Sequence, residues 1–219
     1  MVEFMEKRIE LLEYGLGIHS ISPELGIIIS NFTDDIRSQT WNLGHDLSTH
    51  LHQYLAGFIQ PQSWSDLAFI AVAKGPGSFT GTRIGVVTAR TLAQQLEIPL
   101  FAVSTLAAIA WSHHTEDRQE AIAVQMPASR GEIFGAVYQK SVNDLKQVQL
   151  LPDTVMKPEV WQQTLANLTY PYKLIEVSGN MGASVSDLLE LAYLDWQQGL
   201  RPHWSEALPF YGQHPVDYR

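Results

Sequence analysis

Leu67-Ala-Phe-Ile-Ala-Val-Ala73, then Lys74, then Gly75-Pro-Gly-Ser-Phe-Thr-Gly-Thr-Arg-Ile-Gly-Val-Val-Thr-Ala-Arg90 is the stretch on which the fold turns. Positions 67–73 are apolar throughout, so neither face of that segment gains from contact with water. A run of this length bounded by glycine and proline is the pattern of a central strand covered on both sides. The spacing after it predicts a helix over about 81–96. Strand, glycine loop and helix in that order indicate an α/β fold, with a ligand or partner site at the loop.

The loop fits none of the general phosphate or nucleophile patterns. A Walker loop counted from Gly75 meets Thr80 where its second glycine belongs, with no lysine after it. A dinucleotide G-x-G-x-x-G starts well at Gly75 and Gly77, then also meets Thr80. A nucleophile elbow around Ser78 would need glycine at Pro76 and Thr80. Without a partner or ligand, the stretch reads as a tight strand-to-helix turn with Ser78 or Thr80 as the N-cap.

Working outward, strand patterns fall near 14–20, 25–30 and 36–41, with a helix near 43–58 before the buried strand. The second half has strand patterns at 121–126, 132–139 and 147–151, a helix at 158–165, a strand at 173–178 and a helix at 184–197. The order β-β-β-α-β-α therefore occurs twice, which divides the chain into halves at 1–103 and 104–219. The stretch 141–160, with Pro152 and Pro158, reads as the loosest.

The chain has 219 residues, 45% of them hydrophobic, enough for a substantial core. It contains no cysteine, which removes disulfides, thiolate metal sites and a cysteine nucleophile, and fits a cytoplasmic protein. Glu3, Glu6, Lys7, Arg8 and Glu10 leave no secretory apolar segment at the start. The apolar run at 67–73 is far shorter than the roughly 20 residues of a membrane span. Fourteen Lys and Arg against 23 Asp and Glu give a formal net charge of −9. Affinity for nucleic acid comes largely from neutralising phosphates, so this balance argues against a primary RNA clamp.

Gly75-Pro-Gly-Ser-Phe-Thr-Gly81, Arg83, Gly85, Leu92-Ala93, Ile98-Pro99 and Val103-Ser104-Thr105-Leu106 resemble the signature of the bacterial TsaB (YeaZ) family. The resemblance is dense over 67–110, recognisable at Arg130-Gly-Glu-Ile-Phe134, and fainter at Gly179-Asn180 and Leu208-Pro-Phe-Tyr211. It implies an actin-like (ASKHA, Hsp70 and sugar-kinase type) α/β fold of two duplicated halves. It also implies a non-catalytic subunit of the machinery that makes threonylcarbamoyladenosine on tRNA. The partners implied are a catalytic TsaD-type subunit and a small TsaE-type ATPase, with a homodimer when alone and tRNA contacted only indirectly.

Where the family's first strand ends in an Asp-Thr-Ser turn, this chain has Gly17-Ile-His-Ser-Ile-Ser22, with His19 at the aspartate. Where the family has an aspartate before Ala-Arg, it has Pro127-Ala-Ser129. A neutral imidazole does not hold hydrated magnesium as a carboxylate does, so the expectation is no ATP-hydrolysing site and no cofactor, with weak or vestigial nucleotide contact left open. The histidines have no metal spacing either: His45, His50 and His52 are five and two apart, and His113 and His114 are adjacent. An enzyme of the same fold, an ATP-dependent kinase or a metallopeptidase, is the alternative these absences argue against. A free-standing homodimer with another binding role is the third reading.

Two helices remain as candidate interaction surface. On the first, Leu43, Leu47, Leu51, Leu55 and Phe58 make an apolar stripe, leaving His45, Thr49, His52 and Ala56 on a face short of charge. On the second, Gly81, Gly85, Ala89 and Ala93 recur every four residues, a seam that lets another element approach closely. That element is either a partner's helix or this chain's own core. The resemblance implies a helical bundle with the catalytic subunit or a second copy. It would involve His45, Thr49, His52, Ser78, Phe79, Thr80, Gly81, Arg83, Gly85, Ala89 and Ala93. On that reading a leucine at Gly85 parts the bundle and leaves the chain folded.

Overall fold

A computed structural model describes residues 13–115, 119–141 and 146–212. The charged stretch 3–10 lies outside the described residues.

The chain builds two sheets of the same plan. In the first, β1 (Tyr14–His19), β2 (Glu24–Ser30) and β3 (Ile36–Asn42) form an antiparallel meander. Parallel to β1 lies β4 (Leu67–Ala73), and beside that β5 (Leu100–Val103), in the order β3-β2-β1-β4-β5. The second repeats the meander with β6 (Ala121–Pro127), β7 (Ile133–Lys140) and β8 (Gln147–Met156), then adds β9 (Tyr172–Glu176) parallel to β6, in the order β8-β7-β6-β9. Five helices complete the fold: α1 (Leu47–Phe58), α2 (Phe79–Leu96), α3 (Thr105–His113), α4 (Pro158–Ala166) and α5 (Val185–Gln197).

Alternation along the strands explains the layers. On β4, Ile70 and Val72 face one cluster with Leu47, Leu51 and Leu55 of α1 and Val86, Ala89 and Ala93 of α2. Phe69, Ala71 and Ala73 face the opposite cluster, with Leu106 and Ile109 of α3 and Val185, Leu188 and Leu189 of α5. Both faces of β4 are thus buried, as its unbroken apolar run requires. That second cluster also holds Ile122, Val124 and Tyr138, so α3 and α5 form the layer between the sheets. On the outer side of the second sheet, Trp161 and Leu165 of α4 cover Ala121, Ala123 and Val137.

Several sequence expectations change in detail. The chain carries an additional strand at the end of the first half, β5, and an additional helix at the start of the second, α3, which apolar periodicity alone did not separate from the loop after α2. The segment near 43 opens with a single 3-10 turn, Gly44–Asp46, so His45 precedes α1. The helix after the glycine loop begins at Phe79. Beyond residue 146, the stretch read as loosest is β8 followed by α4. Pro152 is accommodated because β8 is an edge strand with irregular register, and Pro158 takes the first turn of α4, where no amide hydrogen is needed.

Candidate functional site

The glycine loop is a joint between β4, α2 and the turn after β1. Ser78 is the N-cap: its Oγ accepts from the Gly81 amide at 3.2 Å, and its own amide donates to the Ile21 carbonyl at 2.8 Å. Gly75 sits at φ +102, which favours glycine, and an added Cβ would strike the carbonyl of Phe210. The segment 207–211 therefore lies directly on the loop, and the Phe210 amide donates to the Lys74 carbonyl at 2.7 Å. The separate motifs at 75–81 and 208–211 meet in space, closed by the tilted contact of the Phe79 and Tyr211 rings, 4.5 Å between centroids.

The small-residue seam faces inward. Gly81, Gly85, Ala89 and Ala93 are all buried. A Cβ at Gly81 would collide with the Ser20 carbonyl oxygen, and one at Gly85 with Ser20 Oγ. The seam is the groove in which α2 rides over the end of β1, so these four positions pack the chain's own core. This corrects their assignment to a partner interface. Pattern could not decide it, because a close-packed helix has small residues whichever neighbour it meets.

The rest of the predicted set is at the surface. His45, Thr49 and His52 are exposed beside α2, as are Ser78, Thr80 and Arg83. Phe79 is 40% exposed despite its contact with Tyr211, and the Arg83 guanidinium lies 5.6 Å from the centre of its ring. One turn beyond Arg83 is Val87, 59% exposed, which sequence reading passed over. Its signal was available: positions 80, 83, 87 and 91 form the face of α2 opposite the buried seam.

Next to this face a cleft of about 720 Å³ opens between the halves. Ile21, Ser22 and Phe79 line one side, and Met126, Phe134 and Met181 the other. Among the described residues that line it, Arg130 is the one charged side chain. His19, at the end of β1, does not reach the cleft. Its ring is fully buried on the side of the sheet where Gly26 meets Gly182, and burial depresses its pKa to about 4. Neither ring nitrogen has a hydrogen-bond partner among the described residues. Magnesium-nucleotide chemistry does not fit this arrangement, since the described lining offers no carboxylate and the imidazole at the strand end is neutral and enclosed. Among the described residues no group of three or more His, Asp and Glu side chains converges. No described helix is long and apolar enough to cross a membrane.

Elsewhere a polar cluster ties the start of α3 to the second sheet: Tyr138 donates to Asp153 Oδ1 at 2.8 Å and lies 3.3 Å from Ser104, the N-cap of α3. Burial raises the Asp153 pKa.

Two sheets of one plan with paired helices between and around them define an α/β protein of the actin-like class. Two solved structures share this architecture. YeaZ from Pseudomonas aeruginosa matches with a TM-score of 0.72 over 91% of this chain and 99% of its own, at 22% identity. A protein with similarity to the peptidase YeaZ from Pseudomonas aeruginosa matches with a TM-score of 0.73 over 92% of this chain and 100% of its own, at 20% identity. The family model TsaD, tRNA N6-adenosine threonylcarbamoyltransferase, matches residues 61–188, and the chain belongs to that family. Within it the similarity is to members named TsaB, the tRNA threonylcarbamoyladenosine biosynthesis protein. That of Bacillus subtilis (strain 168) is 41% identical over 106 residues, covering 48% of this chain and 44% of the relative. That of Escherichia coli (strain K12) is 33% identical over 107 residues, covering 49% and 46%. The matched part thus spans about half the length of these curated relatives.

Proposed function

We propose that the chain is a non-catalytic subunit of the machinery that forms N6-threonylcarbamoyladenosine on tRNA, acting in the cytoplasm. It holds a catalytic TsaD-type subunit in a competent state, with a small TsaE-type ATPase joining the assembly, and it pairs with itself when alone. The relatives named TsaB support the pathway. The observation that carries the non-catalytic role is His19, a buried neutral ring at the strand end, beside a cleft with no carboxylate in its described lining. The docking surface is the exposed face of α1, the turn before it and α2, formed by His45, Thr49, His52, Thr80, Arg83 and Val87, with Ser78 and Phe79 at its edge. The halves 1–103 and 104–219 act as the two lobes of this scaffold.

Reconstitution tests the reading. Purified catalytic and ATPase subunits should form the modified nucleoside on tRNA only when this chain is added. The chain alone should release no phosphate from ATP and cleave no casein, with or without Mg²⁺ or Zn²⁺. Turnover by the isolated chain, or full modification without it, overturns the proposal.

A further inference from the structure

The turn between β1 and β2 reaches across to the start of α5. There the Gly182 amide donates to Glu24 Oε2 at 3.1 Å, and the Met181 amide donates to Ser22 Oγ at 3.3 Å. The one-turn helix Gly182–Ser184 runs straight into α5, so these amides belong to a helix start that has no partners of its own. A carboxylate is favourable at that end of a helix. The backbones also touch: a Cβ on Gly26 would strike the Gly182 carbonyl, and a Cβ on Gly182 would lie 2.9 Å from Glu24 Cβ. Glycine on both sides of the contact is what allows this approach.

The position of this contact gives it a consequence. The chain leaves the second sheet at β9, passes 177–181 along the cleft wall, and enters α5 on the first sheet. Val177 is still tied to the second sheet, its amide donating to the Gln125 carbonyl at 2.8 Å. Only Ser178, Gly179 and Asn180, all exposed, lie between that tie and the contact at Met181 and Gly182. We propose that Ser22 and Glu24 form a clamp that shortens this hinge to three residues and, beside the core that α3 and α5 share with both sheets, holds the cleft at one width without a bound ligand.

The absence of cysteine makes the test direct. Gln53 on α1 and Gln162 on α4 are both exposed and lie outside the clamp's own segments, so cysteines there carry spin labels that report the distance between the halves. Diluted into excess unlabelled chain so that distances between copies do not contribute, the parent chain should give one narrow distance distribution, and Ser22→Ala with Glu24→Ala should broaden it and shift it to longer distances. Hydrogen exchange at the Gly182 amide should rise about tenfold or more in the same variant. If the double variant fails to fold, Ser22→Ala and Glu24→Gln serve singly. Glu24→Gln keeps an acceptor oxygen and should stay narrow, while Ser22→Ala should broaden in part. An unchanged distribution in the double variant or in Ser22→Ala overturns the proposal, as does a Gly182 amide in the parent that exchanges as fast as that of Asn180.

Discussion

Ser20 Oγ occupies the space that a Cβ on Gly85 would need, and the same oxygen donates to the Gly81 carbonyl at 2.9 Å. This fixes α2 against the end of β1 by a hydrogen bond and by the absence of a side chain at once. Gly85→Leu should therefore destabilise the chain itself, by about 1–3 kcal/mol or more from overpacking. For a chain of this size each kcal/mol lowers Tm by roughly 2–4 °C. Urea denaturation should show a lower midpoint for Gly85→Ala as well. Part of that loss should return in Ser20→Ala with Gly85→Ala, because the two positions are in direct contact and couple. A Gly85→Leu variant with parental stability and lost self-association would restore the seam as an interface.

The seam shows where sequence reading stops. Strand β4, the duplicated meanders and the α1 stripe were legible because apolar periodicity is local. The direction of the seam was not, because Gly81 and Gly85 answer to Ser20, some sixty positions away. In the same way Tyr211 joins Phe79, and Glu24 joins Gly182, through contacts that no local pattern encodes. Strand β5 was missed because it is only four residues long and its alternation is hidden by Pro99 before it and the helix start at Thr105 after it. Val87 was overlooked because a lone exposed valine looks ordinary until the opposite face is known to be buried.

With the seam turned inward, an interface on α2 must use its outer face. Val87→Glu adds a charge where a valine is 59% exposed, so the variant should stay folded with nearly parental Tm. Its self-association in ultracentrifugation, and its retention of the catalytic subunit in pull-down, should weaken roughly ten- to hundredfold, the equivalent of about 1.4–2.8 kcal/mol. His45→Glu with His52→Glu should act in the same direction from α1. Parental association by both variants would move the interface off these helices.

His19 gives stability a defined pH dependence. Its folded pKa, near 4, lies below the ordinary histidine value, so the unfolded chain takes up the proton first as pH falls. The stability that depends on a neutral His19 is fully present above about pH 6.5 and is lost progressively as pH drops towards 4. The loss should be on the order of 3 kcal/mol across that window. Denaturant midpoints measured from pH 7.5 to 4.5 should fall in the parent chain. The slope should be flatter in His19→Phe, where no group titrates at that position. Equal slopes in the two proteins would place the acid sensitivity elsewhere.

The charge balance disfavours RNA binding. Arg37, Arg83, Arg90, Lys140 and Arg201 each lie over an aromatic ring, 4.4 to 5.9 Å from its centroid. They sit on β3, on two separate turns of α2, on β7 and after α5, and form no run in the sequence. With a formal net charge of −9 around them, few phosphates can be neutralised together, and few counterions released. The isolated chain should therefore bind tRNA more weakly than about 1 μM at physiological salt, in the range of non-specific association. A complex with a basic catalytic subunit should bind far more tightly, with the steeper salt dependence that more phosphate contacts bring. Gel-shift titrations of the chain alone and of the complex, each at two salt concentrations, make the comparison. Nanomolar binding by the chain alone would mean that a basic surface forms where the described residues do not show one.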